Sequence, residues 1–241
     1  VTNSFTNLDG SIQSNISPAT TFSIVSYTGT GSNATVGHGL STVPGMIIVK
    51  KLSGAADWMV YHRSLGATAS NLGKTKYLSL NATAAEDNGH WNDTAPTSTV
   101  FSIGTDQRVN ASSATYIAYC FPEVQGFSKM RSYLGNGNAD GTFVYTGFKP
   151  AFTLFKKTNA TSEWFLYDNR RLGFNVTEKV FEANTTSAED SNSGTYIDYL
   201  SNGFKIRGTG GNTNTSGSKY IYMAFAENPF VSAAKIPVTA R

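Results

Sequence analysis

The sequence predicts an all-β protein built as two tandem, internally duplicated β-sandwich domains of jelly-roll-like character, and three observations carry that expectation. The chain repeats itself at a spacing of 106 residues. Amphipathic helix periodicity is nearly absent, and Thr, Ser, Gly and aromatic residues dominate instead. Short apolar or alternating runs are punctuated throughout by Gly, Asn and Ser turns, the pattern of sandwiches and jelly rolls.

The repeat sets the boundaries. Tyr27, Gly29, Gly31, Pro44, Lys50, Lys51, Trp58 and Tyr61 fall without a gap on Tyr133, Gly135, Gly137, Pro150, Lys156, Lys157, Trp164 and Tyr167. Chance would give about two identities over such a stretch. Further on, "LNATAAED" (80–87) answers "ANTTSAED" (183–190), "FSIG" (101–104) answers "FKIR" (204–207), and "TYIAYCFPE" (115–123) answers "KYIYMAFAE" (219–227). A unit of that length is a whole domain and exceeds a solenoid repeat. We therefore expect residues 1–20 to be a linker from a longer upstream chain, 21–124 the first sandwich, 125–231 the second, and 232–241 a C-terminal tail.

Within the first copy, strands are expected at about 22–28, 46–51, 57–62, 76–81, 99–104 and 116–121. Their counterparts fall near 127–133, 152–157, 163–168, 179–183, 203–207 and 219–225. Alternation in "DWMVYH" places Trp58 and Val60 on one face and Met59 and Tyr61 on the other. Trp58 and Trp164 read as core anchors, because a large ring at the same strand position in both copies is what burial requires, with aromatic platforms for a sugar as the alternative. The paired lysines at 50–51 and 156–157 read as solvated strand ends. The glycine pairs that follow a strand, Gly29/Gly31 and Gly135/Gly137, read as turn glycines and not as a dinucleotide fingerprint.

Composition excludes several functions. A formal net charge of +3, from 19 Lys and Arg against 16 Asp and Glu, with no long basic run, gives nucleic-acid binding no support. Charged residues make up only 15% of the chain, so Ser, Thr, Asn and Gly must supply the polar surface. No stretch approaches the roughly 18 apolar residues of a membrane span. The lone Cys120, aligned with Ala224, reads as a small buried hydrophobe.

Catalytic and metal chemistry find no local signature, and no catalytic residue, metal or cofactor is expected. His38, His62 and His90 occur only in the first copy, and the aligned positions carry Val144, Asp168 and Ser193. The repeated pairs Glu86/Asp87 and Glu189/Asp190 could supply a glycosidase, yet neighbours on a strand point to opposite faces and form no convergent dyad. "NGNADG" (136–141) begins like a calcium loop, but Gly147 stands where the closing Glu should be, and a tight turn accounts for it. The N-x-S/T triplets starting at residues such as Asn33 and Asn92 reflect an Asn- and Thr-rich composition.

One segment does invite a binding role. In "EDNGHWNDT" (86–94) a bulky aromatic has no partner in the other copy, which aligns Ser193 and Gly194 with His90 and Trp91. Sugars bind by stacking on an aromatic face and giving hydroxyls to Asn and Asp. Asn88, His90, Trp91, Asn92 and Asp93 are accordingly the candidate ligand-binding residues, with the alternative that Trp91 caps the edge of the sandwich.

Several of these stretches carry a family resemblance: "DGSIQSNIS", "FSIVSYTGTGSNATVGHGLSTVPGMIIVKK", "WNDTAPTSTVFSIG", "YIAYCF", "GNGNADGTFVYTGFKPAF" and "GFKIRGTGGNTNTSGSKYIYMAFAENPF". Together they resemble the C-terminal tandem repeats of tailed-bacteriophage virion proteins, common in marine phages and often found downstream of a concanavalin-like lectin domain. The resemblance implies a non-enzymatic structural or adhesive module of a virion appendage such as a tail fibre. The implied partners are neighbouring virion subunits and a host surface glycan, and the full-length protein is expected to be a homo-oligomer, a trimer. Localisation in the virion follows, with no membrane insertion. The alternatives are a capsid decoration (head fibre) protein and a polysaccharide depolymerase.

Overall fold

A computed structural model describes residues 4–19, 21–66, 73–171, 175–191 and 194–229. The chain divides into two compact units, Val1–Ala82 with Glu86–Glu123, and Thr83–Ala85 with Val124–Arg241. Residues 232–241, expected to be a tail, lie outside the described residues.

The first unit contains β1 (Phe5–Asn7), β2 (Ser14–Ala19), β3 (Phe22–Thr28), β4 (Ala34–Gly37), β5 (Pro44–Lys51), β6 (Met59–His62), β7 (Lys76–Ser79), β8 (Asp87–Asn88), β9 (Val100–Ile103), the one-turn helix α1 (Gln107–Asn110) and β10 (Thr115–Pro122). An antiparallel sheet in the order β1-β2-β3-β10-β5-β6-β7-β8 lies over the pair β4-β9. Its inward residues include Val25, Tyr27, Val49, Met59, Tyr61, Tyr116 and Ala118, closed from the other side by Val36, Phe101 and Ile103.

The second unit follows with β11 (Ser128–Leu134), β12 (Phe143–Tyr145), β13 (Pro150–Lys157), β14 (Trp164–Asp168), β15 (Lys179–Glu182), β16 (Asp190–Ser191), β17 (Ile197–Leu200), β18 (Gly203–Ile206), the one-turn helix α2 (Gly211–Asn214) and β19 (Lys219–Ala226). Here the order β11-β19-β13-β14-β15-β16 faces a three-stranded sheet β12-β18-β17.

The two units share a hydrogen-bond plan. Asn110 Oδ1 accepts from Thr30 N–H, and its Nδ2 donates to the Ser32 and Gly104 carbonyls. Asn214 does the same for Asn136, Asn138 and Gly208. Buried carboxamides are tolerated only when satisfied in this way. Gly29 and Gly135 lie where a Cβ would come within 2.3 Å of the Ala111 carbonyl and 2.4 Å of the Thr215 carbonyl. That close approach is what their shared place after a strand secures.

Across the large sheet the row Ala118–Val49–Met59 is matched in register by Tyr222–Phe155–Phe165. The second unit thus fills its core with three larger side chains, whereas the first inserts Trp91.

Three expectations need correction. Residues 5–19 are no linker: β1 and β2 extend the first sheet, Ile12 and Ile16 reach its core, and Ser14 Oγ donates to the Gly37 carbonyl at 2.9 Å. The alternation of "DWMVYH" holds, but the core side is that of Met59 and Tyr61. Trp58 therefore lies on the reverse face, half-buried, stacked on Tyr119 with Lys50 Nζ 5.6 Å from its ring centroid. Trp164 occupies the matching register and is fully covered. Lys156 is also no solvated strand end: it is buried, and its Nζ donates to the Lys157 carbonyl at 2.9 Å. Burial lowers its pKa to about 8.

Candidate functional site

The site begins with a backbone bent the wrong way for ordinary residues. After β8, Gly89 (φ 124), His90 (φ 73), Asn92 (φ 49) and Asp93 (φ 46) all take positive φ. Each non-glycine residue there costs roughly 1 kcal/mol, and such residues persist only where the surroundings enforce them. The enforcement is visible. The His90 carbonyl accepts from Gly104 N–H at 2.6 Å, the Gly89 carbonyl from Trp91 N–H at 3.0 Å, and the Trp91 carbonyl from Thr94 N–H at 3.0 Å.

Trp91 is the peg of this loop. Its ring is 2% exposed, stands edge-on to Tyr61 at 5.8 Å, and donates from Nε1 to the Lys76 carbonyl at 2.9 Å. An indole buried and bonded in this way offers no face to a ligand, so the expectation of Trp91 as a stacking platform is corrected: it anchors the loop from inside the core. Asn88, Asn92 and Asp93 are exposed, while His90 is 4% exposed.

The loop closes one side of a polar hollow of about 360 Å³, lined by Asn33, Asn88, Gly89, His90, Asn92, Asp93, Gly104, Thr105 and Asp106. That volume suits a small ligand or one residue of a larger one. A larger hollow of about 680 Å³ lies beside β2 and β3. Its lining has no charged side chain, and its tyrosines are committed, Tyr27 to the Val109 carbonyl and Tyr116 to the Gln107 carbonyl. The smaller hollow is the better site because its groups have capacity to spare.

His90 and Asp106 set its electrostatics. The imidazole stacks on Tyr77 at 3.9 Å, Nε2 lies 2.8 Å from Met59 Sδ, and Nδ1 faces Asp106 Oδ2 at 3.7 Å. That last separation is too long for a hydrogen bond, and Nδ1 is buried with no partner. Nor is it an ion pair at neutral pH, since burial lowers the His90 pKa to about 4, outweighing the opposing pull of Asp106. Asp106 caps α1 by accepting from Arg108 N–H at 2.8 Å, and Arg108 grips it through Nε and Nη2, both at 3.0 Å. Burial would raise its pKa, but the Arg108 hydrogen bonds win and hold it below the usual range. Arg108 also lies over the outer face of Tyr77, 5.2 Å from the centroid.

The described residues of the second unit are arranged differently here. There β17 flanks β18, where the first unit has only the irregular loop beside β9. Gly210 caps α2, and Gly194 (φ 100), whose carbonyl accepts from Gly210 N–H at 2.6 Å, stands beside it. Ser193, aligned with His90 by sequence, lies outside the described residues.

Asn33, Tyr77, Asp106 and Arg108 were not expected from the sequence. A signal existed: the pair Asp106/Arg108 stands only in the first copy, and Gly210 and Asn212 take its place in the second. The other flagged groups stay apart from the hollow. Glu86 accepts from Gly66 N–H at 3.0 Å, and Glu189 from Arg171 at 3.1 Å. "NGNADG" forms two successive Asx turns, with Asp140 held by Lys205 at 2.6 Å. His38 Nε2 lies 3.2 Å from the Thr97 carbonyl and its Nδ1 accepts from Leu40 N–H. Cys120 is buried, which pushes its thiol pKa up.

Fold and site together define an all-β protein with two units on one plan, of which the first carries a polar hollow. The chain matches, over residues 2–229, the family described as a domain of unknown function, DUF7483, and belongs to it. That match runs through both units. No curated protein and no solved structure matches the chain.

Proposed function

We propose that the chain is a non-enzymatic adhesive module of a virion appendage such as a tail fibre, and that the hollow at the His90 loop holds part of a host surface glycan. The observation that carries this reading is the polar hollow itself. Exposed Asn88, Asn92 and Asp93 are fixed over it by an enforced backbone, and in the other unit Gly210 and Asn212 stand where Asp106 and Arg108 do here. Pre-set carboxamides and a carboxylate are what sugar hydroxyls bond to, and fixing them beforehand lowers the entropy lost on binding. The protonation states favour holding over hydrolysis. Arg108 keeps Asp106 ionised, and burial keeps His90 a very weak base, so neither is tuned for proton transfer near neutral pH.

In the full-length protein we assign a trimer, so that weak single sites gain avidity. Retention of host surface polysaccharide by the chain tests the reading. Binding that leaves the polysaccharide length unchanged, and that falls about tenfold or more in Asp93→Gly, supports it. Glycine keeps the left-handed backbone while removing the carboxylate. Depolymerisation, or retention indifferent to Asp93→Gly and Asn92→Gly, would sink it.

A further inference from the structure

We propose, resting on the binding role assigned to this hollow, that its ligand presents a primary ammonium group, as a sugar with a free amine does, received between His90 and Asp106. The argument starts from the tautomer of His90. Nε2 and Met59 Sδ, 2.8 Å apart, lie inside ordinary van der Waals contact. Two lone pairs cannot be pressed together in this way, so the single proton of the neutral ring sits on Nε2 with the sulfur as its acceptor.

Nδ1 then carries a lone pair, and what it faces at 3.7 Å is a second acceptor, Asp106 Oδ2. Arg108 Nη2 takes one lone pair of that oxygen at 3.0 Å and leaves another. Two acceptors cannot satisfy each other, and Nδ1 has no other partner. An unmet buried acceptor is costly.

The group that relieves this must donate to both atoms. A sugar hydroxyl has one proton and serves one of them. A primary ammonium has three, serves both, and turns its third to the carboxylate or carboxamides of the loop. Its charge also strengthens the bond to Asp106. Asp106, with 31% of its side chain exposed, is the face met on entry, and the His90 side chain beside it is 2% exposed. A metal ion is less suited, because no three His, Cys, Asp or Glu side chains converge among the described residues. In the second unit Gly210 stands at the place of Asp106, so that unit serves as an internal control.

The test is a titration of the full chain with glucosamine, N-acetylglucosamine and glucose, following the His90 ring nitrogens by ¹⁵N NMR. Glucosamine should bind at least about tenfold more tightly than either neutral sugar and move the Nδ1 resonance. Asp106→Asn retains an oxygen for the Arg108 N–H, and His90→Asn accepts positive φ, so both variants should fold. Each should abolish the preference. Neutral sugars bound as tightly as glucosamine would overturn the amine and leave the binding role standing. Zinc or manganese bound in preference to glucosamine would overturn it in favour of a cation. Indifference to all three sugars, with host polysaccharide still retained, would overturn it as well. Loss of polysaccharide retention itself would instead count against the binding role.

Discussion

Tyr27 lies flat against Tyr116, their centroids 5.1 Å apart and their planes 14° from parallel, and Tyr133 lies against Tyr220 at the same distance and angle. The hydroxyls agree as closely as the rings. Tyr27 and Tyr133 donate to the Val109 and Thr213 carbonyls, while Tyr116 and Tyr220 donate to the Gln107 and Gly211 carbonyls. Each member of the latter pair also accepts a backbone N–H, from Ala111 and Thr215. One pair of tyrosines therefore fixes a one-turn helix to the large sheet in each unit.

Removing one of these hydroxyls leaves buried backbone groups unpaired. Tyr116→Phe and Tyr220→Phe should each destabilise by about 1–3 kcal/mol. Denaturant unfolding checks this, and the agreement between the two losses tests whether the shared plan is also a shared energetic one.

Trp91→Ala should cost about 3–5 kcal/mol, because it empties a core site and frees the Lys76 carbonyl. Trp91→Phe should cost less, since it leaves part of the volume filled. Thermal melting distinguishes this anchor from a ligand platform. A platform would melt as the parent does and lose only binding.

Stability should fall on mild acidification through His90. Its folded pKa of about 4 lies below the unfolded value of 6.5. Between those values the unfolded chain binds more protons, so stability rises with pH across that window and is lost as pH falls through it. The change is on the order of 3 kcal/mol. Burial lowers the His38 pKa as well, with the same sign. Unfolding measured from pH 7 to pH 4 in the parent and in His90→Asn should show a shallower slope in the variant.

Lys156 has the same sign in a different window. Its folded pKa of about 8 lies below the unfolded 10.5. The unfolded chain holds the extra proton between those values, and stability through this group rises from pH 8 toward 10.5. Lys156→Met should remove that rise and stabilise the protein near neutral pH, because no charge is then buried. Melting temperatures at pH 7 and pH 10 check both parts.

Much of the fold was legible because strong strands announce themselves. "FSIVSYT", "PGMIIVKK" and "TYIAYCFP" are dense in β-branched and aromatic residues, and β3, β5 and β10 fall within two residues of where they were expected. The N-terminal strands were illegible for the opposite reason. β1 is only "FTN" and β2, "SNISPA", carries a single isoleucine, and its buried Ser14 is satisfied by a carbonyl that only the tertiary structure supplies. Trp58 shows that alternation separates two faces without saying which one meets the core. In the site, the exposed loop residues were legible from their polarity and from the unequal copies. His90 facing Asp106 was not, because 16 residues separate them and tertiary contacts such as the Gly104-to-His90 hydrogen bond bring one onto the other.

The central claim is that a ligand enters the first unit at the His90 loop and that the described residues of the second unit form no equivalent site. Backbone amide NMR of the full chain titrated with host surface polysaccharide tests it most directly. The account predicts shifts confined to Asn33, Asn88–Asp93 and Gly104–Asp106, with none around Gly194 and Gly208–Gly210. Shifts of equal size in both units, or shifts centred on the hollow beside β2 and β3, would contradict it.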